Sequence, residues 1–150
     1  MANQQGPIIG QLSESLEDYI EIIFNLIESQ KVARVRDIAR AKDVKMSSVV
    51  AALKRLDQEG LVRYEAREFV VLTDPGTDLA KRLLKRHYFL TRFLVEVLQI
   101  DPITAERDAC QMEHAISIET MTRIYKFSEF LKAKGTPLEE LVKQFKEKAR

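Results

Sequence analysis

Residues 33–60 read ARVRDIARAKDVKMSSVVAALKRLDQEG, and this stretch decides the fold. A helix-sized piece over residues 33–41 is followed by Lys42-Asp43-Val44-Lys45. A second helix then opens at Ser47-Ser48 and keeps Val49, Leu53 and Leu56 on one face as far as Gly60, the expected left-handed terminator. Two short helices joined by a tight turn, the second opened by serines, form the helix-turn-helix pattern. After Gly60 the period changes. Leu61-Val62-Arg63-Tyr64 and Phe69-Val70-Val71-Leu72 are rich in β-branched and aromatic residues and flank the polar Glu65-Ala66-Arg67-Glu68, which predicts a hairpin. Upstream, residues 12–29 place Leu16, Tyr19, Ile20, Ile23, Phe24 and Ile27 at spacings of three and four, the signature of an amphipathic helix. Ser13 or Ser15 is expected to supply its N-cap oxygen. Helix, helix, helix and two-stranded wing is the winged helix-turn-helix order, and it assigns residues 12–74 to one domain behind a flexible N-terminus, residues 1–11. The bland alternative is a helical scaffold carrying a decorative hairpin.

Thr73-Asp74-Pro75-Gly76 carries a helix-start signal, a capping hydroxyl or carboxylate ahead of a first-turn proline. Long helices are expected over about 75–98, 102–117 and 118–134, with a last one after Gly135-Thr136-Pro137 ending near residue 150. Residues 75–150 are thus an all-helical second domain, and the fold class is mainly α. With 45% apolar and 31% charged residues the chain can bury a core, which excludes an intrinsically disordered class. No apolar run approaches the about 20 residues that span a bilayer. The opening MANQQGPIIG lacks a secretory layout, so the expected compartment is the cytoplasm, with no membrane partner. One cysteine, Cys110, excludes an intrachain disulfide and a four-cysteine zinc site.

The formal charge of +1 hides an uneven distribution. Residues 31–67 hold ten basic side chains against five acidic ones, a local excess of +5 centred on the helix-turn-helix and wing. Basic groups there neutralise phosphates without regard to sequence, while residues at the start of the recognition helix face base edges. Arg34, Arg36, Lys45, Met46, Ser47, Ser48, Ala51, Lys54 and Arg67 are the expected DNA-contacting set. The competing reading is an ordinary solvated basic face.

Two clusters offer chemistry. Asp18 and Glu21 stand at i, i+3 on the first helix, so both carboxylates project on one side, although such a pair alone is ordinarily solvated surface. Cys110, Glu113 and His114 stand at i, i+3 and i+4 in Asp-Ala-Cys-Gln-Met-Glu-His, residues 108–114. This puts a thiolate, a carboxylate and an imidazole within one ion's reach. Mixed sulfur, oxygen and nitrogen donors suit a borderline divalent transition metal better than magnesium or calcium. Cys110 alone reads equally as a small buried hydrophobe, and His87 alone as a hydrogen-bonded structural residue. A thiol nucleophile with His114 as base, or a hydrolytic metal site, is the enzyme reading. A Gly-rich phosphate loop, HExxH and an oxyanion device are all missing from the sequence, so no enzyme is expected.

From Leu12 to about Lys134 the chain resembles the metal-dependent repressors of the diphtheria toxin repressor and manganese transport regulator family. The resemblance is carried by Glu17-Asp18-Tyr19-Ile20-Glu21, Ala33-Arg34-Val35-Arg36-Asp37-Ile38-Ala39, Ser47-Ser48-Val49, Leu72-Thr73, Lys81-Arg82-Leu83-Leu84-Lys85-Arg86-His87 and residues 108–114. It implies that Asp18, Glu21, His87, Glu113 and His114 fall on metal-ligand positions of the manganese-responsive members, with Cys110 where those members have a glutamate. A cysteine there is the habit of the iron-responsive branch, whose first-helix ligand is a methionine where this chain has Asp18. The implied site is a hybrid, and its cofactor is Fe2+ or Mn2+, with Co2+, Ni2+ or Zn2+ able to substitute. Glu106 aligns with an ancillary ligand position of the iron branch, but Thr91 replaces that branch's ancillary glutamate, which argues against a second metal. Ala51 stands where iron-branch members carry a base-approaching glutamine. An SH3-like domain, which longer members append, is not expected in this chain.

By the same resemblance the function is a metal-dependent DNA-binding regulator, a repressor of metal-uptake genes, acting as a homodimer on pseudo-palindromic double-stranded operator DNA. An ion held by ligands of both domains would select the DNA-competent conformation. Apolar faces from Pro102 onward exceed what one small helical unit needs, and with the family dimeric, Met112, Ile116, Ile124 and Phe127 are expected at the dimer contact. The alternative is a metal-independent winged-helix regulator whose helical domain binds a small molecule or only dimerises.

Overall fold

The computed structural model describes residues 12–65, 69–133 and 138–148. Its elements run α1 (Glu14–Gln30), α2 (Val35–Lys42), α3 (Met46–Gln58), β1 (Val62–Arg63), β2 (Val71–Leu72), α4 (Asp74–Glu96), α5 (Pro102–Ala115), α6 (Ile118–Ala133) and α7 (Leu138–Lys148). The chain divides into two compact units, the first ending at Leu84 and the second beginning at Lys85, so the division falls inside α4. The expected flexible segment 1–11, the Gly135-Thr136-Pro137 connection and the wing tip bearing Arg67 lie outside the described residues.

In the first unit the periodic apolar residues converge as their spacing requires. Ile20 and Ile23 of α1, Ile38 of α2, Val49, Leu53 and Leu56 of α3, and Leu79 and Leu83 of α4 are all at most 1% exposed. The turn between α2 and α3 is tight because Asp43 takes a left-handed conformation, φ 57°, and Val44 N–H donates to the Ala39 carbonyl at 3.0 Å. At the far end of α3, Gly60 has φ 71° and Leu61 N–H closes onto the Leu56 carbonyl at 2.9 Å, the expected left-handed termination.

The hairpin is shorter than its sequence pattern. Among the described residues only Val62↔Leu72 and Arg63↔Val71 pair within it, antiparallel. Val70 instead pairs with Ala33, its N–H donating to the Ala33 carbonyl at 2.9 Å, so the wing is anchored to the segment that leads into α2. The Arg34 guanidinium covers the Phe69 ring at 4.9 Å and holds the same junction.

Helix starts follow the reading at some places and depart from it at others. Ser13 occupies the N-cap of α1 with extended backbone, yet its side chain makes no capping bond, and its carbonyl accepts from Leu16 and Glu17 instead. Helix α3 begins at Met46 with Lys45 as N-cap, so Ser47 and Ser48 lie inside the first turn and do not cap it. Thr73 does cap α4, its Oγ1 accepting from Gly76 N–H at 3.2 Å while donating to the Gly60 carbonyl at 2.7 Å. A Cβ on Gly76 would lie 1.9 Å from the Leu61 carbonyl oxygen, so only glycine lets α4 start against the wing root.

The second unit has a small core of Leu90, Leu94, Ala105 and Ala109, flanked by Val95, Ile100, Met112, Ile116 and Met121. Asp101 caps α5 by accepting from Ile103 and Thr104 N–H, both at 3.1 Å, and the hydrogen bonds from Thr104 hold its carboxyl below the usual carboxylate range. Among the described residues no helix is long and apolar enough to cross a membrane.

Candidate functional site

Helices α4 and α5 bring the second unit's titratable residues together. His87 Nδ1 lies 3.0 Å from Glu113 Oε2 and its Nε2 lies 2.8 Å from Glu106 Oε1. Thr91, one turn further along α4, donates its hydroxyl to Glu106 Oε2 at 3.3 Å. His114 Nε2 lies 3.4 Å from Glu113 Oε1, which leaves Glu113 between two imidazoles with only 3% of its side chain exposed. Arg86 donates to the Ile116 carbonyl at 2.6 Å, fixing the end of α5 to α4 beside this group. Cys110 shares the helix with Glu113 and His114 but is exposed, which corrects its reading as a buried hydrophobe.

The electrostatics follow from this packing. Burial pushes the Glu113 carboxyl up, and the charges of His87 and His114 recover only part of that. For His87, burial lowers the pKa. The hydrogen bond to Glu106 and the charges of Glu113 and Glu106 outweigh it, leaving the imidazole above its ordinary 6.5. An imidazole flanked by carboxylates on both nitrogens satisfies both only as the two-donor imidazolium. As to stability, His87 contributes fully below pH 6.5, and this contribution is lost as pH rises through its higher folded value. For a metal the sign reverses, because a ligating nitrogen must first release its proton. Were His87 to ligate Mn(II), affinity would fall about tenfold per pH unit once the pH lies below the raised His87 value. Calorimetric titration between about pH 6 and pH 8 checks this, with an affinity independent of pH as the contrary result.

In the first unit Asp18 and Glu21 lie on one side of α1 with carboxylate oxygens within 4.8 Å of each other, as their spacing implies. Lys42, at the end of α2, places Nζ 2.6 Å from Asp18 Oδ2 and 4.9 Å from the centre of the Tyr19 ring. Sequence reasoning had counted Lys42 only as one of the basic residues of the reading head. A lysine 24 positions from an aspartate carries no pairing signal until the helices pack.

The residues expected to face DNA lie along α3 and beside it. Met46, Ser47, Ser48, Ala51 and Lys54 are exposed, whereas Val49, Ala52, Leu53 and Leu56 face the core. Lys45 and Arg36 are exposed and Arg34 is half-buried, and Arg36 lies 3.6 Å from Asp37. Of the residues expected at a dimer contact, Met112 and Ile116 pack against their own unit's core and Ile124 is half-buried, while Phe127 is 50% exposed.

Comparison with known proteins covers nearly the whole of this arrangement. A family model described as the iron-dependent repressor N-terminal DNA-binding domain matches residues 11–70, and one described as the iron-dependent repressor metal-binding and dimerisation domain matches residues 73–136. The HTH-type transcriptional regulator MntR of Oceanobacillus iheyensis is 38% identical over 133 residues, 89% of this chain and 90% of its own. An uncharacterised HTH-type transcriptional regulator of Methanocaldococcus jannaschii is 37% identical over 124 residues, 82% of this chain and 99% of its own. Among solved structures, a manganese-dependent transcriptional repressor in complex with manganese superposes with a TM-score of 0.65 at 31% identity over 73% of this chain. The match spans 50% of that longer chain.

Proposed function

The chain belongs to the iron-dependent repressor family and is a metal-dependent DNA-binding transcriptional regulator with operator DNA and a second copy of itself as partners; from that premise we propose which residues carry the response. The proposed ligands are Asp18 and Glu21 of the first unit and His87, Cys110, Glu113 and His114 of the second, for Fe(II) or Mn(II). The observation that carries this reading is the buried Glu113 carboxylate, 3.0 Å from His87 and 3.4 Å from His114. A buried carboxylate between imidazoles, with a thiol one turn earlier on the same helix face, is a donor set that fits a borderline divalent transition metal. A bound divalent ion supplies this cluster with positive charge and directed coordination.

The rest is the work of the chain's own residues. Glu106 and Thr91 orient His87 from its outer side, the role expected of groups that hold a ligand imidazole in register. Because the proposed ligands come from both units, ligation restricts the conformations open to the chain. Those in which the two recognition helices of a homodimer reach major grooves about one helical turn apart are the ones that bind a pseudo-palindromic operator. Met46, Ser47, Ser48 and Ala51 are the proposed base-facing residues and Arg34, Arg36, Lys45 and Lys54 the phosphate contacts, with Arg67 of the wing completing the set. The small core of the second unit leaves Tyr125, Phe127 and Phe130 about half exposed on α6, and this helix is proposed to contribute to the dimer contact. Repression of metal-uptake genes is the proposed output.

The test is operator binding by gel shift on chelator-cleared protein, with Mn(II) or anaerobic Fe(II) added back. An affinity gain of at least about tenfold, or ~1.4 kcal/mol of coupling, is expected. Equal binding with and without metal overturns the assignment.

A further inference from the structure

The Asp18 carboxylate already has a cation. The Lys42 ammonium 2.6 Å from Asp18 Oδ2 belongs to a side chain only 16% exposed, and the Asp18 side chain is 37% exposed. The exposed pair Arg55–Glu59, at 64% and 43%, is of the ordinary weak kind. Lys42 differs because three features hold it in one place: the carboxylate, the face of the Tyr19 ring, and its position as the last residue of α2, where the negative end of the helix dipole favours a cation.

We infer that Lys42 is an internal competitor for the metal carboxylate, its ammonium occupying Asp18 in the metal-free protein and giving it up when a divalent cation is bound. The inference rests on the reading of Asp18 as a metal ligand. A divalent ion on Asp18 would have to share one carboxylate with the Lys42 ammonium, which already lies 2.6 Å from Oδ2. The two cations repel each other and compete for the same negative charge, so the ammonium gives up its seat or weakens the hold on the ion. Two consequences follow. The metal concentration at which the regulator responds is set higher than the ligand set alone would dictate. The exchange also acts on the helix-turn-helix directly, because Lys42 ends α2 and is followed at once by Asp43, the left-handed residue of the turn into the recognition helix.

The test is calorimetric titration of the full chain with Mn(II), comparing the parent with Lys42→Met, Lys42→Arg, Asp18→Asn and the Lys42→Met/Asp18→Asn double variant. Lys42→Met is expected to tighten Mn(II) binding about tenfold, while Lys42→Arg, which keeps the charge, stays within about twofold of the parent. Asp18→Asn is expected to weaken binding, and in that background Lys42→Met is expected to change nothing, a non-additivity that a merely structural lysine would not produce. If Lys42→Met leaves affinity equal or weaker while Asp18→Asn weakens it, the competitor role fails and Asp18 remains a ligand. If Asp18→Asn leaves affinity unchanged, the ligand reading fails and the competitor role with it. Should circular dichroism show Lys42→Met unfolded, Lys42→Gln carries the same expectations.

Discussion

Glu113→Gln is expected to lower affinity for Mn(II) and Fe(II) by about a hundredfold or more and to abolish metal-stimulated operator binding, with the fold intact. Changing even a group that only supports a ligand typically costs about 10–100-fold, and Glu113 is proposed as a ligand. Glutamine keeps the shape of the side chain, so no cavity opens at this 3% exposed position, and what is lost is the negative charge. In the metal-free protein that charge is a burden, since burial already pushes the Glu113 carboxyl up. The rise in melting temperature that metal gives the parent should disappear in the variant. The same substitution removes one of the charges that raise His87, so the His87 titration, followed by NMR, should move down. An unchanged metal affinity would remove Glu113 from the ligand set.

Leu53→Ala separates the reading head from the metal response. Leu53 is fully buried on the inner face of α3, in the cluster it shares with Ile38, Val49 and Leu56. Truncation of such a leucine costs about 2–5 kcal/mol, and domains of this size have only about 5–15 kcal/mol in total. Thermal melts followed by circular dichroism should show an early transition. Operator binding should weaken at every metal concentration, because the exposed residues of α3 are placed only by its buried ones. Glu113→Gln loses only the metal-stimulated part. A Leu53→Ala protein with the parent's melting temperature and operator affinity would mean that α3 is not seated by this side chain.

The fold was largely legible because its signals are local. The spacings in α1 and α3, Gly60 after the recognition helix, and Thr73 ahead of Pro75 all act within one or two turns, and each appears in the structure where the pattern put it. Ser13 stands at the N-cap of α1 without a side-chain capping bond, its carbonyl accepting from Leu16 and Glu17 instead, and Ser47 and Ser48 lie inside the first turn of α3. The expected hairpin forms, but Val70 also pairs with Ala33, a contact across 37 positions that no periodicity reports.

The candidate site was legible in part for the same reason. Cys110, Glu113 and His114 lie within one turn of a helix, so their spacing alone places them on one face. His87 was different, since a lone histidine on a long helix is ambiguous until α5 brings Glu106 and Glu113 to its two nitrogens. What the sequence determined by itself is the order of elements, the basic reading head and the helical faces, all set by short-range periodicity, capping and charge. Only the tertiary structure decided that Glu113 is buried between two imidazoles, that His87 is held from both sides, and that Asp18 already carries Lys42. Each of these depends on which residues, distant along the chain, the packing of apolar faces brings within a few ångströms. At that range burial and charge set the protonation and the competing cations that a metal would meet.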